Sequence, residues 1–169
     1  MSELGETFKF MGRTLKTVPS PEGCSGCYLD RKDDMSCQYH EPETDACSKE
    51  QRGDENDVRY MLDGPHLKIT FPLKGEDYRN CTIGSVHQVQ RIDKDGYLIE
   101  GAKGDFVKVS KSCAQLFRVK MKTEHMAGGV LLKKGSKYPY LSGSALVVEI
   151  LLEDDSTICV PTEKIEFYD

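Results

Sequence analysis

The chain has 169 residues, 38% hydrophobic, with no tryptophan and a net charge of −5 from 23 Lys/Arg and 28 Asp/Glu. That length suits one domain or a few small ones, and no run approaches the roughly 18 apolar residues of a membrane span. The first residues, Met1 to Glu6, have neither a basic region nor an apolar core, so a secretory leader is not expected and a soluble protein of the cytosol is.

The charge is unevenly spread. Residues 1–63 carry 8 Lys/Arg against 14 Asp/Glu, residues 64–126 carry 11 against 7, and residues 127–169 carry 4 against 7. Ordinary solvated faces account for this pattern, and so does a basic middle that steers contact with an acidic partner.

In chain order, residues 7–18 form two β-branched and aromatic runs around Gly12, a hairpin pattern that ends at Pro19 and Pro21. Residues 22–57 are nearly devoid of apolar side chains. Such a composition buries too little surface to offset its ordering entropy, unless its cysteines order it. Four of the chain's seven cysteines lie here: Cys24, Cys27, Cys37 and Cys47. Asp57 to Leu62 returns to a strand pattern able to pair with the first hairpin, and Asp63-Gly64-Pro65 closes this first unit. The cysteine segment is thus expected to be a stapled loop between strands of one small sheet.

Cys24-Ser25-Gly26-Cys27 has the spacing of a metal knuckle, with Gly26 allowing the tight turn. Cys37 and Cys47 would complete a set of four thiolates around one structural zinc ion, and His40 is a substitute ligand. Nine residues separate Cys37 from Cys47, which is not the spacing of a usual second knuckle. Disulfides need an oxidising setting that nothing else in the chain suggests. Unligated or redox-active thiols are the third alternative, although the strand-then-helix context of a redox pair is missing.

From His66 onward short strands alternate with turns. His66 to Phe71 alternates and stops at Pro72. Val86–Ile92, Tyr97–Glu100 and Phe106–Val109 follow, separated by Asp93-Lys94-Asp95-Gly96 and by a turn through Gly101 and Gly104. Ser110–Phe117 has room for a turn or two of helix at most. A register of 51 residues then lays the middle of the chain over its end. Gly84-Ser85 falls on Gly135-Ser136, Val89 on Tyr140, Ile99 on Ile150, Val107–Val109 on Ile158–Val160, and Leu116 on Phe167. Identity is low, so two unrelated meanders compete with a true repeat. Two tandem β units, 64–126 and 127–169, are expected behind a cysteine-rich unit over 1–63.

The stretches Ile83–Val86 through Phe106–Val109 and Leu116-Phe117, and Lys134–Tyr138 through Thr157–Val160 and Ile165–Phe167, resemble SH3-like barrels, in particular small ones of phage-encoded proteins. The N-terminal third is similar to small, cysteine-rich phage and prophage proteins. This second likeness is carried by Phe8 to Phe10, Leu15, Cys24 to Tyr28, Cys37, Cys47, Arg52 and Asp54. Together the resemblances imply a mainly β fold and a non-enzymatic accessory protein in the host cytoplasm that binds a host or viral protein. They speak to fold more than to role.

Arg52 and Asp54 read as loop-closing contacts; Cys81, Cys113 and Cys159 as small buried hydrophobes; His66, His87 and His125 as surface or strand residues. A thiol–imidazole pairing of Cys81 with His87 or His125 is open to sequence reading, but there is no nucleophile elbow, phosphate loop or dinucleotide fingerprint. Nucleic-acid binding is the alternative function, through Arg91, Lys94, Lys103, Lys108, Lys111, Arg118, Lys120 and Lys122 interleaved with Tyr97 and Phe106. A virion structural or decoration role is a third.

Overall fold

The structure, a computed structural model, describes residues 3–10, 13–21, 25–29 and 57–168. Within them the chain is built from antiparallel strands, with two single-turn 3-10 segments. β1 (Thr7–Phe10) and β2 (Arg13–Pro19) form the hairpin expected around Gly12, and β3 (Val58–Leu62) pairs with β2 from Leu15↔Leu62 to Pro19↔Val58.

The first five-stranded sheet contains β4 (His66–Ile69), β5 (Val86–Ile92), β6 (Gly96–Glu100), β7 (Phe106–Ser110) and β8 (Ala114–Leu116), in the order β7-β6-β5-β4-β8. A strand thus occupies part of the stretch where at most a turn or two of helix was expected. The second sheet contains β9 (Arg118–Met121), β12 (Lys137–Gly143), β13 (Val147–Leu151), β14 (Thr157–Pro161) and β15 (Ile165–Tyr168), in the order β14-β13-β12-β9-β15. A separate hairpin, β10 (His125–Ala127) and β11 (Val130–Leu132), lies between β9 and β12.

These two sheets have one topology in two copies. β5, β6 and β7 precede β12, β13 and β14 by 51 positions each, from Val86 to Lys137, Gly96 to Val147 and Phe106 to Thr157. The repeat extends to irregularities. The β5–β6 ladder shifts register between Val89 and Arg91, and the β12–β13 ladder between Tyr140 and Ser142. Such shifts bend and twist a sheet. Gly84 (φ 86°) and Gly135 (φ 84°) hold equivalent left-handed turns, each N–H donating at 2.8 Å to the carbonyl of Ile69 or Met121. Where the first unit uses Gly104 (φ 82°), the second places Asp155 at φ 62°, a position that aspartate tolerates better than most residues.

The expected closure into barrels does not occur. β7 and β8 are the two edges of the first sheet, β14 and β15 those of the second, and no ladder joins either pair. β8 has only three residues, all of them paired with β4.

The strands also change sheet at Phe117, so β9 belongs with the last part of the chain rather than with residues 64–116. Burial divides the molecule differently again. Leu67, Ile69, Val89, Ile99, Val109 and Leu116 form the core of the first sheet. A second core joins Leu15, Tyr60, Met61 and Leu62 of the N-terminal sheet to Val119, Tyr140, Val148, Ile150 and Val160 of the last. The first and third parts of the chain therefore fold onto one another, which explains why all five residues of β3 are buried. A strand covered on both faces loses the alternating pattern of a half-exposed one.

Candidate functional site

Of the five residues expected to bind metal, Cys27 is described; Cys24, Cys37, Cys47 and His40 lie outside the described residues, as do Arg52 and Asp54. Cys27 is buried, and its Sγ accepts the backbone N–H of Tyr60 at 3.4 Å. The next residue answers in the other direction, with Tyr28 N–H donating to the Tyr60 carbonyl at 2.8 Å. This short segment thereby covers the open edge of β3.

Gly26 (φ 74°) is pressed against the second β unit. A Cβ there would lie 2.3 Å from Thr162 Cγ2 and 2.8 Å from the Thr162 carbonyl oxygen, so the turn demands glycine for space and for its left-handed backbone. Beneath it, the buried Arg59 donates from Nη1 to the Ser25 carbonyl, while Lys122 Nζ donates to Ser25 Oγ at 3.3 Å. Tyr28 stacks on Phe117 with centroids 6.4 Å apart and meets Phe167 edge-on at 5.1 Å. The Arg13 guanidinium lies 5.4 Å from the centroids of both Tyr28 and Phe117. Sequence reading missed Arg59. Its only signal was an arginine within the otherwise apolar run Val58 to Leu62.

The lone cysteines diverge. Cys81 is buried, where desolvation raises its thiol pKa, whereas Cys113 is half-buried and Cys159 is exposed, against the expectation of a buried hydrophobe. β14 is an edge strand and Cys159 is on its outward face, which explains the exposure. Cys81 Sγ points to Asn80 Oδ1 at 3.4 Å.

The structure brings together a hydroxyl and an imidazole that sequence reading did not pair: Ser85 Oγ and His87 Nε2 are 2.9 Å apart. Ser85 Oγ also lies 2.6 Å from the Thr82 carbonyl, which only accepts. The single hydroxyl proton goes to that carbonyl, so His87 must donate to Ser85 rather than take a proton from it. Burial lowers the His87 pKa, which favours the neutral ring. A nucleophile needs the opposite arrangement.

Among the basic residues of 64–126, Arg91 pairs with Asp93 at 2.8 Å, Lys108 with Asp95 at 2.6 Å, and Lys103 with Glu76 and Asp77 at 3.6 Å. Lys120 pairs with Glu166 at 2.9 Å. Arg118 turns inward, with a buried Nε. These pairings cover individual cations, but Glu76, Asp77, Asp93 and Asp95 belong to residues 64–126 themselves, so of these partners Glu166 alone offsets the segment's charge excess.

Large apolar side chains reach solvent at Leu4, Phe106, Leu146, Val147 and Tyr168, and in both units in the connection between the first and second strands. In the first unit that connection carries Phe71 and Ile83, 61% and 62% exposed; in the second it carries Met126, Val130 and Leu131 of the β10–β11 hairpin. A cleft of about 410 Å³ between the units is lined by Ile92, Asp93, Lys94, Leu141, Leu151 and Asp155. Its Asp93 is held by Arg91 and Lys108.

Comparison with protein-family models, with curated proteins and with solved structures finds no match. Among the described residues no group of three His, Cys, Asp or Glu side chains is placed to hold a metal ion, and no helix is long and apolar enough to cross a membrane.

Proposed function

We propose that this chain is a non-enzymatic binding protein whose target is another protein, of the phage accessory kind its sequence resembles, acting in the host cytoplasm. One observation carries the reading. The strand framework is duplicated nearly residue for residue, while the connection after the first strand is different in the two units and exposes large apolar groups in both. Exposed apolar clusters suit protein contact. The order of strands, with the first between the last and the second, is consistent with an opened SH3-like arrangement.

A nuclease-treated host lysate passed over the immobilised chain is expected to leave a retained protein. Replacing Phe71, Ile83, Met126 and Leu131 by serine is expected to abolish that retention. Repeated failure to recover any protein, with the purified chain instead holding nucleic acid in a salt-sensitive way, would overturn the reading in favour of nucleic-acid binding.

The same proposal includes one structural zinc ion held by Cys24, Cys27, Cys37 and Cys47, with His40 as a substitute ligand. Support comes from the half of the knuckle that is described. A backbone N–H directed at Cys27 Sγ stabilises a thiolate, and Gly26 locks the turn on which the ligand sits. Metal analysis of protein purified without added zinc is expected to give about one equivalent, and chelation to release N-terminal order along with it. Metal-free protein with an intact N-terminal fold would refute the zinc site.

A further inference from the structure

The stretch from Arg118 to Lys137 contains six Lys/Arg and a single acidic residue, Glu124, within a chain whose net charge is −5. Folding arranges it around the β10–β11 hairpin. Met126 and Leu131 are direct cross-strand partners and so share one face, where both are exposed, at 60% and 46%. The opposite face anchors the hairpin, because Leu132 is fully buried and Gly128 sits over Ile158 of β14. Near its root is a cleft of about 240 Å³ lined by Lys120, Met121, Lys122, Lys134, Gly135 and Glu166.

Several of these cations are engaged: Lys120 by Glu166, Lys122 by Ser25 and Lys137 by the Tyr168 ring at 3.4 Å; Lys164, outside the stretch, lies 3.2 Å from His125. Lys133 and Lys134 are exposed and make no ion pair among the described residues. An anchored apolar face beside two uncompensated ammonium groups and a concave cleft is complementary to a chain that carries carboxylates and apolar side chains together.

We infer that this surface docks an acidic protein segment bearing apolar side chains, Met126 and Leu131 receiving the apolar groups and Lys133 and Lys134 the carboxylates. The inference rests on the protein-binding reading above and names the class of partner. An anionic bilayer fits less well. The cleft is concave and carries Glu166 on its wall, and two unpaired lysines fall short of the basic clusters that hold proteins to anionic lipid.

The test uses the full chain and three probes: a fluorescent peptide of Asp and Glu with a leucine at every third position, its lysine counterpart, and phosphatidylserine vesicles. Anisotropy is expected to rise with the acidic peptide only and to fall as salt is added. Lys133→Glu with Lys134→Glu is expected to weaken acidic-peptide binding about tenfold, and Met126→Ser with Leu131→Ser to do the same. All four positions are exposed, so unchanged far-UV dichroism should accompany both losses.

Equal binding of the acidic and basic peptides, binding of vesicles without peptide, or indifference to the lysine reversals would overturn the inference. If the acidic peptide fails while the chain still captures a host protein in a Met126- and Leu131-dependent way, the acidic specificity is wrong and the protein-binding reading stands. If both fail, both readings fall.

Discussion

Tyr140→Ala is expected to cost about 3–5 kcal/mol, the range for removing a large ring from a packed interior. Tyr140 is fully buried, its ring meets Phe167 at 5.2 Å, and its hydroxyl donates to the Leu62 carbonyl at 2.8 Å. Burial raises the pKa of this phenol far above the ordinary tyrosine range, so it is always a donor. The bond ties the end of β3 to the centre of the second five-stranded sheet, across 78 residues of chain. Tyr140→Phe keeps the ring and strands the carbonyl, at about 1–2 kcal/mol.

The distribution of the damage is diagnostic. Because Tyr140 belongs to the core shared by the N-terminal and last sheets, amide exchange should quicken in β1–β3 and in β12–β15 while β5–β7 keep their protection. A loss below about 1 kcal/mol, or one spread evenly over both cores, would show that the two parts are not joined as described.

The second large effect is acid sensitivity centred on His66. Its side chain is fully buried; Nδ1 lies 3.0 Å from the Gly64 carbonyl and Nε2 accepts the Thr14 N–H at 3.0 Å. That pair of contacts fixes the neutral Nδ1–H tautomer and pins β2 to the first strand of the next sheet. Burial lowers its pKa from 6.5 to about 4, only partly opposed by the Gly64 hydrogen bond; the charges of Lys9 and Arg13 also lower it and Asp63 raises it.

The sign follows from the ordering of the two values. Well above pH 6.5 the ring is neutral in both folded and unfolded chains and contributes no pH dependence. As pH falls from 6.5 towards 4 the unfolded chain takes up a proton that the folded one refuses, and stability drops by about 3 kcal/mol in total. His66→Gln offers the Thr14 N–H an amide oxygen without a titrating group. Denaturant titrations across that window should therefore show wild type losing about 3 kcal/mol more than the variant. Parallel stability profiles for the two proteins would sink the assignment.

His66 also marks the limit of what patterning conveys. It occupies an alternating strand, His66 to Phe71, whose exposed face belongs to water if the sheet stands alone. The N-terminal sheet covers it instead, and a titratable residue becomes a buried latch. The expected barrels failed for a related reason. Alternation reports which residues face inward along one strand, whereas closure depends on whether the two edge strands meet, and these do not. At the candidate site, the Cys24-Ser25-Gly26-Cys27 spacing was legible, but the seat of Ser25 and Gly26 on Arg59 and Thr162 was not, because those contacts span 34 and 136 positions.

What sequence determined by itself was local and periodic: the hairpin around Gly12, the strands and turns after His66, and the 51-residue register that recurs in β5–β7 and β12–β14. Strand alternation, turn glycines and spacing act between near neighbours, so they survive in one dimension. Tertiary structure alone decided that the first and third parts share a core and that Lys103, Lys108 and Lys120 meet carboxylates distant in sequence. Those outcomes depend on which faces meet across long loops, where burial and charge pairing are settled between residues that no local pattern connects.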